Sequence, residues 1–279
     1  MSRFVSATEL HDLLAQDAPA RLIDVRWRLD RPEAGHDDYL TGHLPGAVFV
    51  SLDRELSTHG EPSDGRHPVP STATLQAAAR RWGVREGDTV IAYDDAKGTA
   101  AARAWWLLQQ AGVDVRVLDG GLRAWTAAGF PLTADDVEPE QGDVVLRELG
   151  RGALTIDEAA AFPRTGVLLD VRAPERYRGE SEPLDPVAGH IPGARNLPTL
   201  RHLDPDGKLL DRDTVLASFA EVGVTPGTPV AAYCGSGVTA AHTALVLAEV
   251  GIDASVFPGS WSQWSNTPGR PVATGDQPG

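Results

Sequence analysis

The single cysteine of this 279-residue chain, Cys234, lies in a sequence context that favours reactivity. A run typical of a β-strand, Val230–Tyr233, ends at the cysteine, and a Gly-Ser-Gly turn and a helix-forming stretch follow it. Such a strand–turn–helix junction directs backbone N–H groups and the positive end of a helix at one side chain. Because these groups stabilise a thiolate, the nucleophilic form of cysteine, the sequence predicts nucleophilic sulfur chemistry at Cys234.

The residues that follow the cysteine are suited to hold an anionic group. Gly235 and Gly237 carry no Cβ, so successive amides up to Val238 and Thr239 can curl around the sulfur and an attached group. The alternative is a buried, inert cysteine, as most free cysteines are. The two glycines beside Cys234 disfavour that interpretation.

Other cysteine chemistries fit the sequence less well. A cysteine phosphatase needs an arginine six residues after the cysteine to hold phosphate, and that position is Ala240. A cysteine hydrolase needs a histidine base beside the thiol, but His242 follows two helical turns later. His43 and His190 occupy equivalent Gly-His-x-Pro-Gly turns and are interpreted as structural. One cysteine and scattered histidines show no zinc-ligand spacing, so no metal site is expected.

Two arginines after a predicted strand are candidates for binding an anionic substrate. Arg172 follows the strand end, and Arg176 comes one helical turn later. Each guanidinium could hold a carboxylate or sulfonate. The alternative is an ion pair with one of the nearby acidic residues, Glu175, Glu180 or Asp185.

The bulk composition excludes several classes of function. The formal net charge is −14 and there is no Lys/Arg cluster, so nucleic acid is not an expected partner. No apolar run approaches the roughly 20 residues that a membrane span requires, and the first residues lack the apolar core of a signal peptide. A single cysteine cannot form an intramolecular disulfide. These features predict a soluble cytoplasmic protein.

The chain is an internal duplication. Corresponding segments of the two halves are Leu22–Arg26 and Leu168–Arg172, Gly42–Ala47 and Gly189–Ala194, Val90–Asp94 and Val230–Cys234, and Leu118–Trp125 and Phe257–Trp264. Both halves also begin with a capping box, at Ser6–Glu9 and Thr155–Glu158. Asp94 occupies the position that corresponds to Cys234, so only the second half carries the thiol.

The pattern of strands alternating with helices predicts an α/β fold with two domains, each a mostly parallel sheet flanked by helices. The predicted boundaries are 1–135 for a non-catalytic domain, 136–151 for a polar linker and 152–279 for a catalytic domain. The predicted strands are Arg21–Asp24, Val90–Tyr93, Val115–Leu118, Val167–Asp170, Val230–Tyr233 and Ala254–Phe257. The predicted helices are Ser71–Trp82, Thr99–Ala111, Asp213–Val222 and Val238–Val250.

These segments resemble the rhodanese superfamily in its tandem two-domain form. The resemblance covers nearly the whole chain and is most specific in the Cys234–Ala240 loop, which looks like that of the 3-mercaptopyruvate sulfurtransferases. Thiosulfate-preferring rhodaneses carry Arg and Lys directly after the cysteine, where this chain has Gly235 and Ser236.

The resemblance implies roles for further residues. By their position after the His-x-Pro-Gly turn, Asp53 and His67 match the members of a proton relay that includes Ser236. Arg176 matches the arginine that binds the substrate carboxylate. A second substrate arginine of the mercaptopyruvate enzymes matches Asp185, and at that position the chain looks more like a thiosulfate rhodanese.

The resemblance implies a sulfurtransferase that moves sulfur from a small-molecule donor through a Cys234 persulfide, without a cofactor. The donor expected is 3-mercaptopyruvate, and the acceptor is cyanide, a small thiol or a protein thiol such as that of thioredoxin. The alternatives are a thiosulfate-preferring sulfurtransferase and a non-catalytic sulfur-carrier or regulatory module. With one cysteine in the chain, the persulfide must be discharged to an external acceptor.

Overall fold

The computed structural model describes residues 2–16, 20–31 and 33–279, and its contacts divide the chain into two compact units. The first unit comprises residues 1–58, 69–149 and 203–209. The second unit comprises residues 59–68, 150–202 and 210–279.

The first unit is an α/β layer structure around a parallel sheet. Its strands are β1 (Phe4–Val5), β2 (Ala20–Asp24), β3 (Val48–Phe49), β4 (Thr89–Tyr93) and β5 (Asp114–Leu118). Its helices are α1 (Ala7–Ala15), α2 (Ala34–Thr41), α3 (Leu52–Glu55), α4 (Thr72–Arg81), α5 (Thr99–Gln110) and α6 (Gly121–Ala127). Within the described residues the strand order is β1-β5-β4-β2-β3, with every pairing parallel.

The second unit repeats this architecture. Its helices are α7 (Ile156–Ala161), α8 (Pro174–Arg178), α9 (Arg212–Glu221), α10 (Val238–Glu249) and α11 (Ser260–Asn266). Its strands are β6 (Val167–Asp170), β7 (Arg195–Asn196), β8 (Val230–Tyr233) and β9 (Ala254–Val256), in the parallel order β7-β6-β8-β9. A single parallel bridge from Ala153 to Val256 stands where the first unit has β1. The predicted α/β fold with two duplicated parallel sheets is confirmed.

Local sequence explains where the repeated elements begin. The Ser6 hydroxyl accepts from the backbone N–H of Glu9, whose carboxylate accepts from the Ser6 backbone, and Thr155 and Glu158 do the same. Both predicted capping boxes are therefore present, and each supplies partners for donors that the first helical turn leaves unsatisfied. The short strands β1, β3 and β7 were not predicted, because runs of two residues carry no periodicity.

The cores of the two units use corresponding aromatic residues. Tyr93 and Tyr233 are fully buried at the ends of β4 and β8, and each hydroxyl accepts from a backbone amide, of Leu44 at 3.1 Å and of Ile191 at 3.0 Å. Since a buried tyrosine hydroxyl needs a partner, these bonds fix the His-x-Pro-Gly turns against the strand ends. At the same edge, the sheet of the first unit carries Asp94 after β4, and the sheet of the second unit carries Cys234 after β8.

Three stretches depart from the predicted boundaries, and one of them, residues 203–209 of the expected catalytic domain, belongs to the first unit. Residues 136–149, within the expected linker, pack on the first unit: the Gly142 amide donates to the Arg80 carbonyl at 2.8 Å, and Leu146 is buried. Residues 59–68, within the expected first domain, belong to the second unit, where the 3₁₀ turn Pro62–Asp64 contacts α11. The polar sequence of residues 136–149 and 59–68 indicated a linker or a loop. Only the packing shows which of the two hydrophobic cores each stretch contacts.

Among the described residues, no helix is both long enough and apolar enough to cross a membrane.

Candidate active site

Cys234 lies at the carboxyl end of β8, between the neighbouring strands β6 and β9, where parallel sheets place their ligand sites. The side chain is 2% exposed, and the Gly237 amide donates to Sγ at 3.1 Å. Helix α10 begins at Val238, so its positive end lies beside the same sulfur. An amide donor and a helix N-terminus therefore both lie against the sulfur, in the arrangement that the sequence predicted.

The loop glycines are required by the backbone. Gly237 has φ of 80°, and a Cβ there would lie 2.3 Å from the carbonyl oxygen of Pro258. Only glycine fits that close approach and left-handed conformation without strain. Val238 and Thr239 form the first turn of α10, so their amides are among those with no partner inside the helix.

The start of α11 holds the cysteine loop in place. The amides of Trp261 and Ser262 donate to the carbonyl oxygens of Cys234 and Gly235 at 3.0 and 2.8 Å. The Ser260 hydroxyl accepts from the Cys234 amide at 3.1 Å, donates to the Phe257 carbonyl at 2.9 Å and lies 3.9 Å from Sγ. The Ser260 hydroxyl therefore contacts both the backbone and the sulfur of Cys234.

Sequence reasoning did not single out Ser260, although the duplication contains a sign of it. Ser260 has φ of 54°, which a non-glycine residue rarely adopts. The corresponding residue of the first unit is Gly121, with φ of 56°, where a Cβ would lie 2.2 Å from the Asp94 carbonyl oxygen. A serine in a position otherwise built for glycine marks backbone strain next to the thiol.

Ser236 and His67 form a hydrogen-bonded pair. The His67 Nδ1 lies 2.8 Å from the Ser236 Oγ, and both side chains are buried. His67 belongs to the stretch 59–68, which packs in the second unit together with Cys234. The structure thus brings together two of the three residues of the expected relay, and an imidazole bonded to a hydroxyl can move a proton.

Asp53, the third member of that expected relay, lies in helix α3 of the first unit. Its Oδ2 accepts from the indole N–H of Trp27 at 2.9 Å. The indole thus orients a carboxylate. The role of Asp53 in proton transfer stays a prediction.

Arg176 lies in α8 with its guanidinium next to the cysteine loop. Its Nη2 and Nε donate to the two carboxylate oxygens of Glu182, at 2.6 and 3.2 Å. Its Nη1 lies 3.5 Å from the position that a Cβ would take at Gly235. Arg176 therefore forms an ion pair and also presents a nitrogen to the residue after Cys234, and its role in substrate binding stays a prediction.

Arg172, expected as a substrate ligand, is placed differently. Its guanidinium is buried, donates to the Asp170 carboxylate at 2.5 Å and to the Gly189 carbonyl at 2.6 Å, and packs 4.6 Å from the Trp261 ring centre. Burial disfavours its charge, but the Asp170 carboxylate reverses that effect and raises the pKa of Arg172. The first unit repeats this arrangement with Arg26, Asp24 and the carbonyl of Gly42, where there is no thiol. The shared contacts tether the turn before His190, while the Arg172 Nη1 also donates to Glu182 at 3.2 Å, and the role of Arg172 as a substrate ligand stays a prediction.

The histidines outside this cluster have structural surroundings. His43 and His190 stack on Tyr39 and Tyr177 at ring-centre distances of 3.8 and 3.7 Å, and each Nδ1 bonds to the carbonyl of that same tyrosine. His242 is buried in α10 with its Nδ1 3.1 Å from the Thr199 hydroxyl, and burial lowers its pKa to about 3. A histidine with so low a pKa is a weak base, and its Nδ1 is already bonded to Thr199.

Asp185 and Glu182 are buried acids beside the arginines. The Asp185 side chain is 2% exposed and the Glu182 side chain 3%. Burial raises the pKa of Asp185, Arg66 and Arg176 lower it, and repulsion from Glu182 adds to the increase. The sequence did not indicate Glu182 or Arg66, because their contacts join segments that are distant along the chain or linked by an irregular loop.

The corresponding loop of the first unit holds a carboxylate in place of a sulfur. The Asp94 Oδ1 accepts from the amides of Ala96 and Gly98 at 2.7 and 2.8 Å. Its Oδ2 accepts from the amides of Ala100 and Ala101 at 2.8 and 2.9 Å. Burial raises the pKa of Asp94, and these backbone donors act against that increase. The same strand–loop–helix junction is therefore an anion site made by backbone N–H groups.

Comparison with known proteins identifies the duplicated unit. The model of the rhodanese-like domain matches residues 6–128 and 155–267. The Mycobacterium tuberculosis protein SseB, named provisionally as a thiosulfate sulfurtransferase, is 49% identical over 277 residues, 97% of this chain and 96% of that protein. A Pseudomonas aeruginosa protein named provisionally as a 3-mercaptopyruvate sulfurtransferase is 42% identical, covering 95% and 98%.

A solved structure agrees with these matches. The crystal structure of SseA from Escherichia coli, described as a 3-mercaptopyruvate sulfotransferase, superimposes with a TM-score of 0.81 at 33% identity and covers 94% of this chain and 99% of that one. Sequence and fold thus agree over nearly the full length of both proteins. The chain belongs to the rhodanese family, as a member with two rhodanese-like domains whose named relatives are sulfurtransferases.

Proposed function

We propose that this protein transfers a sulfane sulfur from 3-mercaptopyruvate, through a persulfide on Cys234, to an external nucleophile. The observation that carries the proposal is the position of Cys234. Its sulfur accepts a hydrogen bond from the Gly237 amide, and Ser236, two residues after the cysteine, is hydrogen-bonded to His67. The Gly237 amide stabilises the thiolate and its persulfide, and the Ser236–His67 pair can transfer a proton. The names of the homologues support sulfur transfer as the reaction.

The first half-reaction cleaves the carbon–sulfur bond of the donor. The Cys234 thiolate attacks the donor sulfur, an S–S bond forms, and the electrons of the C–S bond leave with pyruvate as its enolate. The enolate carbon then takes a proton, for which Ser236 and His67 provide a hydrogen-bonded route. The amides of the loop and of the first turn of α10 stabilise the persulfide anion that remains.

In the second half-reaction, a nucleophile attacks the outer sulfur and Cys234 leaves as a thiolate. With cyanide the product is thiocyanate, and with a thiol it is a new persulfide. The proposed acceptors are cyanide, a small thiol or a protein thiol such as that of thioredoxin, and the proposed location is the cytoplasm. Because the enzyme carries sulfur between two substrates, the kinetics should be ping-pong.

The preference for 3-mercaptopyruvate over thiosulfate rests on proton chemistry. Thiosulfate leaves as sulfite, which needs no protonated carbon, whereas the pyruvate enolate does. The hydrogen-bonded pair of Ser236 and His67 can therefore assist the reaction of 3-mercaptopyruvate but not that of thiosulfate. The names of the relatives do not decide the matter, because SseB of Mycobacterium tuberculosis is named for thiosulfate and the Pseudomonas aeruginosa protein for 3-mercaptopyruvate.

Two measurements test the proposal. Intact-mass spectrometry after donor treatment should show one added sulfur atom in the wild type and none in Cys234→Ala; a wild type without the adduct rules the mechanism out. Comparison of kcat/KM should favour 3-mercaptopyruvate. An advantage for thiosulfate would make the protein a thiosulfate sulfurtransferase, and an adduct without turnover would make it a sulfur carrier.

A further inference from the structure

The reactive sulfur has a second polar neighbour besides the Gly237 amide. The Ser260 Oγ lies 3.9 Å from the Cys234 Sγ, and both residues are buried, Ser260 completely and Cys234 with 2% of its surface exposed. A hydroxyl buried in this way must find its hydrogen-bond partners inside the protein. The partners of the Ser260 hydroxyl therefore determine what it contributes to the sulfur.

The Ser260 hydroxyl has one hydrogen and two acceptors within reach of it. It donates to the Phe257 carbonyl oxygen at 2.9 Å, while its oxygen accepts from the Cys234 amide at 3.1 Å. A neutral thiol is a weak acceptor, so the Phe257 carbonyl is the better partner as long as Cys234 is protonated. Hydrogen bonds to an ionised acceptor are shorter and about twice as strong, so a thiolate competes for the same hydrogen.

The backbone holds Ser260 beside the sulfur in an unfavourable conformation. Its φ of 54° is left-handed, which strains a residue that carries a Cβ, and the amide of Trp261 fixes it there by donating to the Cys234 carbonyl at 3.0 Å. The corresponding residue of the first unit is Gly121, with φ of 56°. Because glycine adopts this conformation without strain, the fold does not require a serine, and the hydroxyl is what the second unit adds.

We propose that the Ser260 hydroxyl is a switchable hydrogen-bond donor to the Cys234 sulfur, which turns from the Phe257 carbonyl to Sγ when the sulfur carries a negative charge. The hydrogen moves by rotation about the Cβ–Oγ bond and stays on the hydroxyl, and the oxygen still accepts from the Cys234 amide. Together with the Gly237 amide at 3.1 Å, the thiolate then has two donors. The neutral thiol has only the amide.

A donor that acts on the thiolate affects the two halves of sulfur transfer in opposite ways once the thiol is ionised. It makes the thiolate less nucleophilic when Cys234 attacks the sulfur donor, and it makes Cys234 a better leaving group when an acceptor removes the outer sulfur. At lower pH it also raises the fraction of thiolate, which offsets the first effect. Ser260 is thus assigned mainly to discharge of the persulfide, a consequence that rests on the proposed function.

Charged and titratable side chains lie on several elements around the cysteine loop: Arg66, His67, Arg176, Tyr233 and His242. Burial raises the pKa of Tyr233 and lowers that of His242 to about 3, so neither changes its charge between about pH 6 and 10. The Ser260 hydroxyl bonds to backbone groups instead. Its removal therefore leaves all five side chains in place, and a changed pH profile can be assigned to the hydroxyl.

The direct test is the rate of alkylation by iodoacetamide between about pH 6 and 10, which reports on Cys234 alone because the chain has one cysteine. Loss of a hydrogen bond to a charged sulfur should lower the fraction of thiolate about 10-fold at low pH and make each thiolate about threefold more reactive. Ser260→Gly and Ser260→Ala should therefore react about threefold more slowly than the wild type below the inflection of the profile and about threefold faster above it. The two profiles should cross.

Two comparisons separate the hydroxyl from the backbone. Ser260→Gly copies Gly121 and relieves the strain, whereas Ser260→Ala keeps it, so matching profiles support a role of the hydroxyl and an effect in Ser260→Ala alone would overturn it. The control Ser218→Ala removes another buried hydroxyl, which donates to the Val215 carbonyl in α9, and should keep the wild-type profile. Profiles of the wild type and Ser260→Gly that do not cross, in protein with wild-type thermal unfolding, would also overturn the proposal.

Steady-state kinetics above the inflection test the consequence for sulfur transfer. Ser260→Gly should raise kcat/KM for 3-mercaptopyruvate about threefold and lower kcat/KM for cyanide about threefold. Changes in the same direction for both substrates would contradict the assignment to persulfide discharge. Because alkylation needs no sulfur donor, crossing profiles in a protein that forms no persulfide would support the switchable donor and refute the proposed function. Sulfur transfer without crossing profiles would do the reverse.

Discussion

The loops after β4 and β8 show one backbone design used for two purposes. In the first unit, the Asp94 carboxylate accepts hydrogen bonds from four backbone amides, two in the loop and two in α5. In the second unit, the sulfur of the shorter Cys234 side chain accepts a hydrogen bond from the Gly237 amide at 3.1 Å. The first loop is filled by its own carboxylate, whereas the second holds a sulfur that accepts from one loop amide. The comparison shows that the anion site belongs to the fold, while the chemistry belongs to the residue placed in it.

The residues around the two loops differ more than the loops themselves. Ser236 with His67 and Arg176 with Arg66 surround the cysteine, and Ser260 replaces the glycine at position 121. Arg172 and Arg26, by contrast, each bind the corresponding aspartate and the carbonyl of the corresponding glycine. The features present once are candidates for catalysis, and the features present twice maintain the fold.

The largest expected effect comes from moving the thiol between the two loops. The variant Asp94→Cys with Cys234→Ala retains an amide-lined loop with a cysteine, whereas Ser236, His67, Arg66 and Arg176 all belong to the second unit. We expect turnover with 3-mercaptopyruvate to fall to background, a loss on the order of 10⁴-fold or more. Steady-state assays and intact mass measure the result, with thermal unfolding as the control for folding. Turnover above one tenth of wild type would mean that the loop alone is sufficient.

The second prediction concerns the arginines that the two units share. Arg172→Ala and Arg26→Ala each leave a buried aspartate without its partner, so each should lower the free energy of unfolding by about 3–5 kcal/mol. Chemical denaturation monitored separately in each unit by hydrogen exchange would measure both. A normal stability of Arg172→Ala combined with a raised KM would restore Arg172 as a substrate ligand.

The third prediction separates the two donors by proton demand. Ser236→Ala removes the hydroxyl bonded to His67 and should lower kcat/KM for 3-mercaptopyruvate about 100-fold. The rate with thiosulfate should change less than about threefold, because sulfite leaves without a proton to carbon. The control is Ser265→Ala in α11, whose hydroxyl bonds to a backbone carbonyl of its own helix. An equal loss with both donors would assign Ser236 to sulfur binding.

The smallest expected effect is a difference in acid stability between the units. Burial lowers the pKa of His242 to about 3 and that of His202 to about 4, from the ordinary 6.5. The unfolded chain binds protons below pH 6.5 that the folded chain excludes, so stability is complete above that pH and falls as the pH decreases towards 4. Each histidine contributes up to about 1.4 kcal/mol per pH unit in this range. The corresponding residue of α5 is Arg103, so that α5 has no histidine at this position.

Hydrogen exchange at pH 7 and about 5 tests this difference. Helix α10 should lose protection before α5, and His242→Gln should reduce the difference, because glutamine does not titrate. Simultaneous loss of protection in α5 and α10, in both the wild type and the variant, would show that these histidines do not govern acid unfolding.

Much of the fold followed from the sequence because the relevant interactions are local. The duplicated strands, the long helices α5 and α10 and both capping boxes depend on periodicity and on residues three or four apart. The reactive position of Cys234 depends equally on local order, since a strand, a glycine turn and a helix must follow one another. These features could be predicted from particular residues without knowledge of the packing.

The composition of the site depended on contacts between distant segments. Nothing near Cys234 in the sequence indicates that residues 59–68 pack in the second unit, or that Arg66 pairs with Asp185, 119 residues away. Likewise, Arg172 and Arg176 are indistinguishable as arginines near a strand end, and only packing turns one towards Asp170 and the other towards Gly235. The sequence by itself therefore determined the fold and the glycine loop that surrounds Cys234, because local backbone geometry makes them. Tertiary structure alone decided that Arg66 lies beside Arg176 and that Arg172 turns towards Asp170, because long-range burial and charge pairing set their directions.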